Sequence, residues 1–204
     1  MISSQKNREK SMKWWLIGLM SITLFAADKY YQYGDLNERY DGALVEVKTQ
    51  ALANGIGQFY YDSGKLKGET PFKNGIREGI GKTYYDSGRL KGETPFHNDK
   101  IEGMKKEYYE SGTLLSETPF VNDNAEGLAK FYYPTGTLQG ESFFKHNRAD
   151  GMTKLYTKSG KLIRTIEFKE GIVIKAFDYN ALGEAKAIDP KLVKVEADEN
   201  TTAE

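Results

Sequence analysis

The sequence predicts an all-β protein: an elongated single-layer solenoid of stacked antiparallel β-hairpins with a 24-residue repeat, placed after an N-terminal hydrophobic helix. Three observations carry this reading. Gly64, Gly88, Gly112, Gly136 and Gly160 are each 24 residues apart, and so are Gly55, Gly79, Gly103, Gly127 and Gly151. The same interval links Tyr60, Tyr84, Tyr108, Tyr132 and Tyr156, then Leu66, Leu90, Leu114, Leu138 and Leu162, then Phe72, Phe96, Phe120, Phe144 and Phe168. Finally, 14 Tyr, 10 Phe and 21 Gly in 204 residues favour short strands and turns over helices. A fixed period without insertion or deletion is the signature of stacked units that bury one another's apolar positions.

The N-terminus comes first in the chain. Residues 1–13 carry Lys6, Arg8, Lys10 and Lys13 against the single acid Glu9, and the uncharged run "WWLIGLMSITLFAA" fills 14–27. As a helix that run spans about 21 Å, short of the roughly 20 residues that cross a hydrocarbon core of about 30 Å. A basic segment before a short apolar run has the form of a secretory signal peptide. Cleavage after Ala27 would leave Phe25 three residues back, where a small residue is wanted. Residues 1–28 therefore read either as a signal peptide or as a retained membrane anchor, with Trp14 and Trp15 in one headgroup layer and Tyr30, Tyr31 and Tyr33 in the other. Both readings put residues 29–204 outside the cytoplasm, periplasmic or secreted, with 14–27 as the inner-membrane anchor if uncleaved.

Residues 29–54 read as an irregular capping segment. "YYQYGDL", 30–36, echoes "YYDSGKL", 60–66, and "ALVEVKTQALA" fills the gap as a strand or short helix. Five repeats, here called rows, then occupy 55–174. In "GIGKTYYDSGRLKGETPFHNDKIE", 79–102, Asp-Ser-Gly separates two short runs, a hairpin signal. "HNDKIE" reads as a loop to the next row. Strand alternation places Ile80, Tyr84, Leu90 and Phe96 on a packed face, and Thr83, Tyr85, Arg89, Lys91 and Glu93 on the other. Pro71, Pro95 and Pro119 lack an N–H and belong at strand ends or bulges. A capping hairpin is expected over 175–189, and 190–204 reads as a disordered polar tail.

These rows can be compared with a known family. "GETPFKNGIREGIGKTYYDSG", 68–88, resembles the MORN (membrane occupation and recognition nexus) repeat, and more closely its bacterial variant. The matching features are Gly-Glu before an aromatic, Asn-Gly in the loop, a second pair of glycines, Tyr-Tyr and a Gly turn. The ordinary motif has a His before its second Gly, where this chain has Glu78, Glu102, Glu126 and Asp150. The resemblance implies an elongated sheet of stacked hairpins and a role in interaction or scaffolding. Some chains of the variant family are labelled antitoxins of toxin–antitoxin pairs.

Several classes of chemistry are disfavoured. Lys+Arg and Asp+Glu both number 29, so no single-sign field covers the chain, and nucleic acid is not an expected partner. With no Cys there is no disulfide, thiolate nucleophile or Cys-based zinc site. "GIREGIGKT", 75–83, imitates a phosphate-binding loop but has five residues, not four, between Gly75 and Gly81, and Lys82-Thr83 begins a strand. The column Glu69, Glu93, Glu117 and Glu141 repeats every two strands, about 10 Å, and reads as solvated cross-strand pairing with Lys67 and Lys91. His97 and His146 read as solvated loop residues. No catalytic residue, cofactor or metal site is expected.

The candidate partner-binding residues are the tyrosines Tyr61, Tyr85, Tyr109 and Tyr133, read as an exposed column, and the loop carboxylates Glu78, Glu102 and Glu126. The expected function is a non-catalytic interaction or scaffold module of the cell envelope. It would bind an extended protein or envelope polymer, and the membrane through an uncleaved N-terminus. The alternative is an antitoxin or immunity protein with one toxin partner.

Overall fold

A computed structural model describes residues 30–32, 36–38, 44–46 and 52–193. The expected leader and hydrophobic helix, residues 1–28, and the tail beyond 193 lie outside the described residues.

Five hairpins stack in chain order. Their first strands are Gly55–Tyr60, Gly79–Tyr84, Gly103–Tyr108, Gly127–Tyr132 and Arg148–Tyr156. Their second strands are Leu66–Lys73, Leu90–His97, Leu114–Val121, Leu138–Lys145 and Leu162–Lys169. Each second strand also pairs antiparallel with the first strand of the following row, so the rows fuse into one long open sheet. Ile172–Tyr179 and Ala185–Ile188 extend it as a last hairpin. The opening segment is not a hairpin row. Tyr30–Tyr31 pairs parallel with Ile56–Gly57, and Leu36–Glu38 pairs with Leu44–Glu46 in a separate two-stranded sheet.

Two kinds of turn set the period. Within row two, Gly88 N–H donates to Tyr85 O and Tyr85 N–H to Arg89 O, both at 2.8 Å, and Gly88 has φ +84°. A three-residue turn closed by a residue of positive φ requires Gly there, since only Gly adopts that backbone without Cβ strain. The expected loop between rows is instead a second tight turn. His97 pairs with Lys100 across Asn98 and Asp99, whose φ values are +49° and +64°. Two consecutive positive φ values make the type I′ hairpin that matches strand twist, and Asn and Asp tolerate them. Asn74–Gly75, Asn122–Asp123, His146–Asn147 and Glu170–Gly171 repeat it.

After this turn the strand is interrupted at Glu78, Glu102 or Glu126, just before the next first strand begins at Gly79, Gly103 or Gly127. Glu78, Glu102 and Glu126 N–H donate across the break to Pro71, Pro95 and Pro119 O at 3.1, 3.1 and 2.9 Å. The prolines therefore sit within their own strands, and their missing N–H falls opposite an interruption of the neighbour. In row four Phe143 replaces Pro, and Arg148–Tyr156 runs on as one strand.

Each row also carries a β-bulge, and it corrects the expected faces. Thr83 pairs with Gly92 but Tyr84 with Leu90, leaving Lys91 as an extra residue. Lys67, Leu115, Gln139 and Ile163 are skipped in the same way. The extra residue inverts the alternation, so Leu90 and Phe96 share a parity in sequence and lie on opposite faces. One face carries Ile80, Pro95, Lys82, Glu93, Tyr84 and Leu90, the other Gly81, Thr94, Phe96, Thr83 and Gly92. Phe96 lies flat over the glycine of its own row, where a Cβ on Gly81 would stand 2.8 Å from the ring. The Arg77 guanidinium covers it at 4.4 Å.

The apolar core is concentrated at the two ends. Tyr31, Ala53 and Phe72 are buried together with Leu36 and Leu44 against them, and Ile166, Phe168 and Ala176 with Ala149, Val173, Ile188 and Val193. The expected packed column of Ile80, Met104, Leu128 and Met152 is exposed, because among the described residues no second layer lies on that face. Phe168→Ala is therefore expected to cost about 3–5 kcal/mol, while Ile80→Ala stays within about 0.5. Urea unfolding of the two variants checks this, and equal losses would contradict the face assignment.

Candidate binding surface

The Ile-bearing face has three parallel stripes, each running across the strands. The middle one is an alternating ladder of charge. Within rows Lys82 pairs with Glu93, Lys106 with Glu117 and Lys130 with Glu141. Between rows Glu69 pairs with Lys82, Glu93 with Lys106, Glu117 with Lys130 and Glu141 with Lys154. Lys130 reaches Glu117 at 3.6 Å and Lys154 reaches Glu141 at 2.9 Å. The Lys154 bond, ahead of smaller effects, holds the Glu141 carboxyl below its usual range. The acids are thus paired across strands, as expected, but with these lysines. Lys67 and Lys91 instead lie over the rings of Tyr61 and Tyr85, at 5.4 and 5.5 Å.

From the second row on, the first tyrosine of each row flanks the ladder and bonds to the acid of the row before. Tyr84 donates to Glu69 at 2.7 Å, Tyr108 to Glu93 at 2.8 Å, Tyr132 to Glu117 at 2.8 Å and Tyr156 to Glu141 at 3.3 Å. Burial, then the bond to a carboxylate, pushes the Tyr84 and Tyr132 phenols up to about 12.

The sequence-predicted tyrosines are half-buried rather than exposed, and their hydroxyls are committed. Tyr61, Tyr85, Tyr109 and Tyr133 donate to the backbone oxygens of Tyr84, Tyr108, Tyr132 and Tyr156 at 2.6, 2.7, 2.7 and 2.8 Å. Each ties its row to the next. The loop carboxylates also face inward along the stack. Glu78 accepts from Asn98 N–H at 2.9 Å, Glu102 from Asn122 N–H at 2.9 Å and Glu126 from His146 N–H at 3.1 Å. His97 and His146 are brought to these acids, Nδ1 lying 3.0 Å from Glu78 and 3.1 Å from Glu126. The Asn98 N–H, then His97, lowers the Glu78 carboxyl. Both predicted columns therefore hold turns and rows together.

The repeats also display an exposed feature that the sequence reading assigned to the core. On the far side of the ladder runs an apolar stripe: Ile56 beside Pro71, Ile80 beside Pro95, Met104 beside Pro119 and Leu128 beside Phe143, ending at Met152. Ile80, Met104, Leu128, Phe143 and Met152 are 55, 42, 40, 46 and 44% exposed. Aligned large apolar groups at this exposure make the stripe a candidate interaction surface. The signal available in sequence was the bulge itself, which no residue type announces. Among the described residues no cluster of three or more His, Cys, Asp or Glu is placed to hold a metal, and no helix is long and apolar enough to cross a membrane.

An open sheet of stacked hairpins with a regular, accessible face defines a repeat protein. The family described as MORN repeat variant matches at residues 53–74, 77–98, 101–122 and 125–146, so this part of the chain is a run of four MORN-variant repeats. The fifth hairpin, ending at Lys169, follows the matched residues with the same turns and bulge. No curated protein matches the chain. MORN repeats commonly mediate protein or membrane interactions, and their sheet is typically a non-enzymatic module.

The tyrosine–glutamate bonds give a pH test. The folded phenols ionise near 12 and ordinary phenols near 10, so the folded state binds the proton more tightly. Their contribution is complete below about pH 10 and is lost as pH rises towards about 12. The urea midpoint is expected to fall over that window, and Tyr84→Phe with Tyr132→Phe to flatten the fall. An unchanged slope in the double variant would assign the alkaline loss to other groups.

Proposed function

We propose that the chain is a non-catalytic interaction and scaffold module of the cell envelope, carried out of the cytoplasm by residues 1–28, and that it grips an extended partner through the apolar stripe of Ile80, Met104, Leu128, Phe143 and Met152. The observation that supports this is periodic exposure. From the second row to the fifth the stripe offers a large apolar group on each first strand, about 9.6 Å apart, two strands at about 4.8 Å each, and Phe143 adds another beside Leu128. The Lys/Glu ladder beside it excludes uncharged or single-sign partners that cannot match its alternation. The two predicted columns support the surface from behind: the Tyr61, Tyr85, Tyr109 and Tyr133 hydroxyls and the Glu78, Glu102 and Glu126 carboxylates fix the row spacing that the stripe reads out.

Location and contact are tested separately. A reporter active only in the periplasm, fused after residue 204, is expected to be active, and activity confined to a cytosolic reporter would refute export. For contact, the full chain and its Leu128→Glu and Met104→Glu variants serve as bait against envelope membranes. Both variants are expected to keep the circular dichroism spectrum and lose the wild-type partner, each by more than about 1 kcal/mol of binding. A Tyr109→Phe variant that lost the partner while both stripe variants kept it would move the site to the tyrosine column.

A further inference from the structure

Resting on the stripe as the binding surface, we infer that its occupant is a second copy of this chain, packed face to face with the order of its rows reversed. The ladder has eight members in spatial order: Glu69, Lys82, Glu93, Lys106, Glu117, Lys130, Glu141 and Lys154. Its midpoint lies between Lys106 and Glu117. A two-fold axis at that midpoint, parallel to the strands and between two sheets, reverses the ladder and leaves each residue's position along the strand unchanged. Lys106 then faces Glu117 of the second copy, Glu93 faces Lys130, Lys82 faces Glu141 and Glu69 faces Lys154. Every cation meets an acid, twice over, as an isologous interface requires.

The centred register pairs all eight members, whereas an axis one whole strand to either side pairs only six. A two-fold axis one half-step away, on Glu117, sets Lys106 against Lys130 and Glu93 against Glu141, and every pair becomes a repulsion. The favoured axis also lays stripe on stripe. Met104 lies over Pro119, Leu128 over Pro95, Phe143 over Ile80 and Met152 over Pro71, so flat proline rings oppose long side chains. Two sheets packed about 10 Å apart in this way form an aligned sandwich, the ordinary partner for a sheet with one uncovered apolar face. The area suffices. Ten strands spaced about 4.8 Å by about five residues of strand give on the order of 700 Å² per copy, close to the ~800 Å² per partner of a standard stable interface.

The chain contains no Cys, so single cysteines report the register cleanly. Full-length Lys82→Cys and Glu141→Cys chains with different tags are produced together and treated with a short bis-maleimide. A mixed cross-linked dimer is expected. Lys82→Cys alone should not cross-link, because its two copies lie five strands, about 24 Å, apart. Adding Leu128→Glu or Met104→Glu to both chains should reduce the mixed product at least tenfold, with circular dichroism unchanged. Self-cross-linking of Lys82→Cys as strong as the mixed reaction overturns the register, and a mixed product indifferent to the stripe variants overturns the surface. No cross-link, together with stripe-dependent capture of a different envelope protein, overturns the second copy while the stripe remains the binding surface. No cross-link and no stripe-dependent capture overturns both.

Discussion

One extra residue in the second strand of every row decides what each face of this sheet displays. Lys67, Lys91, Leu115, Gln139 and Ile163 are the residues passed over by the ladder. If Lys91 paired in step, Phe96 would join Ile80 and Leu90 beside Lys82 and Thr94, and Glu93 and Pro95 would turn to the other face. With the extra residue the aromatic ring is delivered to the opposite face, onto the smallest residue available, and the Ile face keeps a narrow apolar stripe beside a ladder of charge. The bulge recurs at 24-residue intervals, so the same inversion repeats and the stripes stay aligned down the sheet.

That constraint also explains which parts of the architecture were legible. Glycines that must adopt positive φ, such as Gly88, announce themselves by type, as do the aromatic columns and the period; stacked hairpins followed directly. The bulge residues are Lys, Lys, Leu, Gln and Ile, with no shared size, charge or backbone preference. Alternation counted through them assigned the wrong face to everything on one side of the bulge. Glu93 was placed with Thr83 and away from Ile80, and the exposed stripe was taken for core. The between-row loop was misread for a related reason. "HNDKIE" contains turn residues, but whether Asn-Asp makes a loop or a type I′ turn depends on the next strand pairing back, which is a long-range event. Tyr61, Tyr85, Tyr109 and Tyr133 were read as an exposed column and are half-buried. Their hydroxyls reach carbonyls 23 residues on, a separation visible only once the row-to-row register is known.

With so little apolar burial in its middle rows, the sheet is held by many modest bonds that each join one row to the next. The phenol–carboxylate bonds belong to the charge-assisted class worth about 1.5–3 kcal/mol, and each cross-strand pair contributes roughly 0.2–1. Solvent-exposed ion pairs add less, at about 0–1. Stability of this kind is nearly one-dimensional: each row depends on its neighbours and only the terminal rows need something different. The terminal rows supply it. Phe72 is covered by Tyr31 and Ala53, and Phe168 by Ala176 and Val173, the two places where the Phe column becomes truly buried.

Capping at both ends has a consequence for how such a sheet meets other molecules. An open sheet is most vulnerable at its edge strands, where unpaired backbone groups invite another strand. Here Tyr30–Tyr31 pairs alongside part of the first row, and the far edge is the four-residue strand Ala185–Ile188, a short edge of the kind that limits such pairing. Edge pairing reads no side chains, so it would connect rows of any sequence and spread without limit. Contact through the face is different in kind. It is bounded by the five rows, and it is read in charge: the ladder of Glu69 to Lys154 is satisfied in full only in the centred register, loses pairs at each whole-strand shift and is repelled one half-step away. A repeat that makes every row alike thereby still favours one alignment, because only an axis at the ladder's midpoint pairs all eight of its members.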